Sequence, residues 1–249
     1  MHPNDPIEAL VSLIKDFALV DLSHRLEEHI PSWPTHARFS QALYESYRFG
    51  DPACHHALTL SEHTGTHMDA PMHFVPEDEG GFGIDRIPLS RTFGRAAVID
   101  ASDIGAKGAV TRAFVEAWEQ RNGPLREGDM ALFRFGWAEK WKTRPDDGEF
   151  LRDWPGVGED AAEYLARKGV SGVGTDALSV DAFGAEGFPA HRVLLGSRLF
   201  ILENLNRLQE LPAYCFVAAM PLNIKDGSGS PVRAVAFVPK SEEGRGAWS

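Results

Sequence analysis

The stretch His63-Thr64-Gly65-Thr66-His67-Met68-Asp69-Ala70-Pro71-Met72-His73-Phe74 places four potential metal ligands within eleven residues: His63, His67, Asp69 and His73. A helix would put His63 and His67 on one face. Gly65, the two threonines and Pro71 argue against one. In an extended chain successive side chains alternate. All four candidates sit at odd positions, so an extended segment turns them the same way, with Gly65 leaving room between ligands. Pro71 argues against a regular central strand, so the expected setting is an extended loop or a strand edge.

Imidazole and carboxylate donors suit Zn²⁺, Mn²⁺ or Fe²⁺. Two histidines and one aspartate leave coordination positions open, as a catalytic site requires. From spacing alone His73 is either a fourth ligand or a free acid/base. The sequence holds ten histidines, so a metal-free cluster is the competing reading, and His55-His56 reads as a chance pair.

Outward from this segment the pattern is of alternating apolar runs. Ile7, Leu10, Val11, Ile14 and Phe17 share one face of a helix over 6–17, and Ala18–Leu22 reads as a strand. Residues 28–51, with Pro31, Trp33 and Pro34, read as loop. Ala57–Ser61 reads as a strand feeding the histidine segment, and residues 77–83 as a turn-rich loop. Strands are expected at 94–99, 129–135, 170–173, 199–202, 215–219 and 232–238. Helices are expected from Thr111 to Arg121 and over 158–168, each stopped by glycine. Helices and strands alternate only in part, which predicts an α/β fold with a mixed sheet in one domain spanning 1–249. Residues 240–249 read as a loose tail.

With 249 residues, 43% of them hydrophobic, the chain can bury a substantial core. A net charge of -11 disfavours nucleic acid and anionic membranes as partners. Cys54 and Cys215 are too few for a disulfide scaffold or a cysteine zinc finger and read as reduced thiols. The start lacks a basic, then apolar, leader, and no run approaches the ~20 apolar residues of a membrane span. A cytoplasmic protein is expected. A Walker loop, a G-x-G-x-x-G and a G-x-S-x-G elbow are all missing, which sets aside nucleotide and serine-hydrolase chemistry.

The histidine segment matches H-x-G-T-H-x-D-x-P-x-H-F, and on it the chain resembles the cyclase family, which includes bacterial kynurenine formamidases and isatin hydrolases. The resemblance extends to Asp21-Leu-Ser23, Pro31-Ser-Trp33-Pro34, Gly174-Thr-Asp176 with Ser179 and Asp181, Phe188-Pro-Ala-His191, Glu203-Asn-Leu205, Pro221-Leu-Asn-Ile and Gly229-Ser-Pro-Val-Arg233-Ala. It implies a swivelling β/β/α-like fold and a homodimer or homotetramer. It implies metal ligation by His63, His67, Asp69, His191 and Glu203, with His73 as proton shuttle and Trp33 and Phe74 against the substrate. Phe82 is a further candidate for the apolar wall.

The resemblance further implies a metal-dependent hydrolase of an amide, lactam or lactone, using one or two Zn²⁺ or Mn²⁺ per chain. Within the family, isatin hydrolases use a single Mn²⁺ and lack the downstream glutamate. Glu203 therefore favours the two-metal formamidase type. The longer loop after Phe74 and the helix carrying Trp118 resemble isatin hydrolases instead. A metal-stabilised binding protein without turnover is the non-enzymatic alternative.

Overall fold

In the computed structural model, residues 5–240 are described; the expected tail beyond Lys240 lies outside them. Thirteen strands and four helices occur among the described residues. The main sheet has nine strands in the order β1 (Phe17–Asp21), β13 (Val235–Pro239), β11 (Tyr214–Ala218), β5 (Phe93–Asp100), β7 (Met130–Arg134), β9 (Gly172–Thr175), β10 (Phe200–Glu203), β4 (His67–Asp69) and β12 (Gly229–Pro231), while β6 (Ala109–Val110) and β8 (Gly156–Val157) pair apart from it. Its centre, β5, β7, β9 and β10, is parallel. Its flanks, with β1, β11 and β13 on one side and β4 and β12 on the other, are antiparallel.

Both faces of the sheet centre are buried, which is why those strands read as continuous apolar runs rather than alternating ones. Ala97, Ile99, Ala131, Phe133, Val173 and Ile201 point to one side. There they meet Val115 and Trp118 of α2 (Arg112–Asn122), Leu165 of α3 (Glu159–Lys168), and Ala190, Leu194 and Leu195 of α4 (Pro189–Gly196). The alternate residues Ala96, Val98, Met130, Leu132 and Leu202 point to the other side. That side is closed by the sheet's own curled ends: Val20 of β1, Ala236 of β13, Val217 of β11 and Met68 of β4 share its cluster. The mixed α/β architecture expected from the sequence is the one found.

The helix expected at the start of the chain is present though two residues shorter, and two other local readings need correction. Helix α1 (Pro6–Lys15), capped by Asp5 Oδ1 accepting from Ile7 N–H at 2.9 Å, buries none of its residues. The period of its apolar stripe is right, but Ile7, Leu10, Val11 and Ile14 face solvent. Residues 28–51 are not all loop: β2 (Ser40–Glu45) pairs with β3 (His55–Thr59) in a separate two-stranded hairpin, exposed along nearly its whole length. With no buried face to impose alternation, β2 left no periodic signal. Finally, β4 is not an edge strand, because β10 and β12 pair with it on either side. Pro71 falls beyond its end, in a short 3₁₀ turn over Pro71–His73, and so constrains it little.

Candidate metal centre

The centre is built first by the loop entering β4. Gly65 takes φ +62°, a left-handed conformation natural to glycine, and an added Cβ would lie 2.6 Å from Leu26 Cδ2. The two threonines pin the loop. Thr64 Oγ1 accepts from Ser61 N–H at 2.9 Å, and Thr66 Oγ1 donates to Asn204 C=O at 2.6 Å. The freed Gly65 carbonyl accepts from His67 Nδ1 at 2.8 Å and from Asn204 Nδ2 at 2.9 Å. That bond puts the His67 proton on Nδ1 and leaves the Nε2 lone pair pointing inward.

In β4, His67 and Asp69 share the face that looks toward α4, while Met68 points into the opposite core. The register sets Glu203 of β10 directly opposite His67. His191 enters from the first turn of α4, 4% exposed, and its Nδ1 lies 2.6 Å from Asp181 Oδ2. Asp181 also accepts from the backbone N–H groups of Ala190 and His191, at 2.8 and 3.2 Å, so one carboxylate anchors the helix start and orients the ring.

The donors converge. Asp69 Oδ1 lies 2.7 Å from His63 Nδ1 and 3.3 Å from His67 Nε2. Asp69 Oδ2 lies 3.5 Å from His191 Nε2. Glu203 reaches His67 Nε2 with Oε2 at 3.5 Å and His191 Nε2 with Oε1 at 3.3 Å. Two triads, His63–Asp69–His73 and His67–Asp69–Glu203, each have ligand atoms within 4.8 Å of one another, with Asp69 common to both. Asp69 Oδ2 is buried and lacks a hydrogen-bond partner.

The electrostatics are those of a cation trap. Burial opposes charge on every group, yet the neighbours prevail. His63, with His191 and His67 close by, holds the Asp69 carboxyl well below its ordinary range. The bond to Asp181 and the nearby Asp69 and Glu203 carboxylates hold His191 well above the ordinary histidine value, and Asp69 and Glu203 raise His67. A divalent ion replacing those protons would satisfy the orphaned Asp69 oxygen and the inward nitrogens together. The Asp181–His191 and Gly65–His67 bonds are the outer supports that metal-binding histidines ordinarily have. The residues present therefore fit a metal.

His73 lies beside this cluster, its ring 4.1 Å from that of His63 and 4.8 Å, edge-on, from Phe74. Burial pushes its pKa down to about 4, so its ring is neutral near pH 7. The centre opens into a cavity of about 130 Å³ that is continuous with solvent. Trp33, Phe74 and Phe188 form the aromatic wall; Phe74 and Phe188 stand 5.3 Å apart and Trp33 and Phe188 6.2 Å. All eight site residues expected from the sequence thus meet in one place. Phe82 does not join them: it packs into the core inside the curl and only its carbonyl approaches, accepting from Met72 N–H.

Among the residues that border the cavity but that sequence reading did not single out for the site are His36 and Phe188. Phe188 holds φ +53°, unusual for an aromatic residue, at the start of α4. A loop histidine and a phenylalanine before proline carry no local signal of such placement.

A curled mixed sheet whose helix-covered face carries a carboxylate-linked histidine cluster defines a class: α/β proteins with a candidate metal centre at a cavity. Residues 20–182 match the cyclase family, described as putative cyclase, and the chain belongs to it. An isatin hydrolase from Roseibium aggregatum is 35% identical over 199 residues, 74% of each chain. A kynurenine formamidase from Erythrobacter litoralis is 32% identical over 216 residues, 86% of this chain and 91% of the relative. The solved isatin hydrolase A from Labrenzia aggregata, bound to benzyl benzoate, matches with TM-score 0.86 at 30% identity, over 95% of this chain and 100% of that one.

Proposed function

We propose that this protein is a metal-dependent hydrolase that cleaves the C–N bond of a small aryl amide. The observation that carries the reading is the Asp69-centred cluster opening into an aromatic cavity; the relatives named isatin hydrolase and kynurenine formamidase support it. His63, His67, Asp69, His191 and Glu203 would hold one or two Zn²⁺ or Mn²⁺ ions. Metal bound there would acidify water and polarise the scissile carbonyl. Trp33 and Phe74 take the aryl ring against an apolar wall. His73, neutral and beside His63, accepts a proton from the attacking water and returns it to the leaving nitrogen, a role worth ~10²–10⁴-fold in rate.

A second reading, a single-Mn²⁺ lactam hydrolase, is favoured by the TM-score of 0.86 to isatin hydrolase, against 0.71 to a potential metal-dependent hydrolase with cyclase activity. Glu203 inside the cluster favours two metals. Metal analysis separates the two: two equivalents per chain support the formamidase type, one the isatin type. The deciding experiment assays the metal-loaded protein on N-formyl anilides, isatin and small lactones. Absence of turnover on all of them, at full loading, would refute the enzyme and favour a metal-stabilised binding protein. His73→Ala should abolish hydrolysis and leave metal content unchanged; loss of metal would make His73 a ligand.

A homodimer or homotetramer accords with the unburied apolar stripe of α1. No helix among the described residues is long and apolar enough to cross a membrane. Two free thiols, Cys54 exposed and Cys215 buried, support a cytoplasmic setting.

A further inference from the structure

Ser228, in the loop entering β12, touches two neighbouring residues of the histidine segment. Its Oγ lies 3.0 Å from His63 Nε2 and 2.6 Å from Glu62 Oε2, and its backbone N–H donates to the same Glu62 oxygen at 3.0 Å. The loop itself is fixed: Ala70 N–H donates to the Ser228 carbonyl at 2.9 Å, and Ile84 N–H to the Gly227 carbonyl at 2.8 Å. The glycines on either side of Ser228 leave room for its two partners. A Cβ on Gly227 would stand 3.0 Å from Glu62 Oε1, and one on Gly229 2.7 Å from His63 Cε1.

These contacts fix the direction of each hydrogen bond. A carboxylate only accepts, so the Ser228 hydroxyl hydrogen goes to Glu62. The hydroxyl's lone pairs are then left for His63 Nε2, which must donate. The ring hydrogen is thus held on Nε2, and Nδ1, 2.7 Å from Asp69 Oδ1, is the nitrogen turned to the centre. His67 and His191 are held the other way, Nδ1 bonded to the Gly65 carbonyl and to Asp181, with Nε2 inward. The same direction sets aside a serine nucleophile. Asp69, His63 and Ser228 follow one another at hydrogen-bond spacing, as in a Ser-His-Asp triad, but a hydroxyl that donates to Glu62 is not activated by His63.

We infer that Ser228 and Glu62 are positioning residues that orient His63, so that this histidine meets a metal through Nδ1 whereas His67 and His191 meet it through Nε2. The inference rests on the metal-dependent reading above and adds how one proposed ligand is held. Neither residue lines the cavity at the centre, so both act through His63 alone. Loss of an outer partner of a metal-binding histidine ordinarily costs 10- to 100-fold in affinity. Ser228→Ala leaves Nε2–H without its acceptor. Glu62→Ala frees the Ser228 hydroxyl hydrogen to donate to Nε2, which moves the ring hydrogen to Nδ1, the nitrogen the metal needs. Glu62→Gln keeps an accepting oxygen and should preserve the arrangement.

The test uses the full chain, metal-free and then titrated with Zn²⁺ against a chelator or loaded with an NMR-active cadmium isotope. Ser230→Ala is the control, because its hydroxyl, in the adjoining β12, accepts from Leu222 N–H at 2.8 Å and does not touch His63. Ser228→Ala and Glu62→Ala should bind zinc at least about tenfold more weakly, with Glu62→Gln and Ser230→Ala within about threefold of the parent. Cadmium should couple to Nδ1 of His63 in the parent, and to Nε2 of His67 and His191. Affinity unchanged in Ser228→Ala and Glu62→Ala, an equal loss in Ser230→Ala, or coupling to His63 Nε2 would overturn the inference. Should Ser228→Ala fail to fold, the coupling in the parent decides alone. If the parent binds neither ion, the metal-dependent reading fails instead, and hydrogen exchange at His63 Nε2 in the metal-free protein judges the pair. Protection in the parent that Glu62→Ala or Ser228→Ala removes supports the role; equal exchange in all of them refutes it.

Discussion

Asp181 does not border the cavity at the candidate metal centre, yet the geometry predicts that metal affinity depends on it. Its Oδ2 holds the proton of His191 Nδ1 at 2.6 Å, and its two oxygens accept the first free N–H groups of α4. Asp181→Asn is nearly isosteric, but an amide turned to keep Ala190 paired presents an NH₂ group to His191 Nδ1. The ring's proton would then move to Nε2, the atom that faces Asp69 and Glu203, and the inward lone pair is lost. Removing an outer partner of this kind ordinarily costs 10- to 100-fold in metal affinity, roughly 1.4–2.8 kcal/mol. The metal-free protein should lose roughly 1.5–3 kcal/mol, the worth of one charged hydrogen bond. The affinity loss should widen with pH. Asp181, with Asp69 and Glu203, holds the His191 pKa well above the ordinary value, so protons compete with metal in the parent more than in the variant. Raising pH removes that competition chiefly from the parent. The assay is zinc titration against a competing chelator at two pH values, with urea unfolding of the metal-free proteins. An affinity unchanged within threefold at both pH values, despite lost stability, would reduce Asp181 to a helix anchor and refute the reasoning.

Gly229→Ala would place Cβ 2.7 Å from His63 Cε1 and 2.8 Å from the Met68 carbonyl, so metal affinity should fall at least about tenfold as the ring is displaced; chelator competition reads it. Gly172→Ala would drive Cβ to 2.2 Å from the Phe200 ring at the β9–β10 pairing, costing about 1–3 kcal/mol and lowering Tm by several degrees; an unchanged melt would contradict the packing. Burial lowers the His24 pKa to about 4 from an ordinary 6.5, so its stabilising contribution is complete above pH 6.5 and is lost as pH falls toward 4, by up to roughly 3 kcal/mol. His24→Phe, which keeps the stacking on Trp141, should unfold in urea with a flatter dependence between pH 7 and pH 4.5. The native protein should present one reactive thiol, Cys54, since Cys215 is buried and its pKa is pushed up to about 12; two native thiols by thiol titration would contradict this.

The histidine segment was legible because its four candidates crowd into eleven residues, although the alternation argument was right for a different reason. Only His67 and Asp69 converge by strand alternation. His63 is brought in by the left-handed turn at Gly65, and His73 by the 3₁₀ turn at Pro71. His191 and Glu203 had no local signal, since their meaning lies in pairing across more than a hundred residues of chain; resemblance alone pointed to them. His36 left no trace, because an isolated histidine in a proline-bearing loop acquires its neighbour only on folding. Helix α4 was missed for a related reason. It starts from Phe188 in a left-handed conformation, without a side-chain cap of its own, and Asp181, distant by several residues, supplies the anchor instead.

The placement of the proposed ligands on sheet strands has an energetic consequence. His67 and Glu203 are cross-strand partners, and Asp69 stands opposite Ile201 on one side and Gly229 on the other. Met68 and Leu202, between them, are fully buried in the opposite core. A slip of one residue in β4 would therefore expel Met68 from the core, bury His67 and Asp69 among aliphatic side chains, and dissolve the centre at once. Core packing and metal geometry thus enforce the same register. The two carboxylates are held close together, at an electrostatic cost that ion binding would offset. That cost is sustained by burial of Met68, Leu202 and Ile201. On this argument, trimming Met68 to alanine should weaken metal binding as well as stability, though Met68 itself offers the ion no donor on that face.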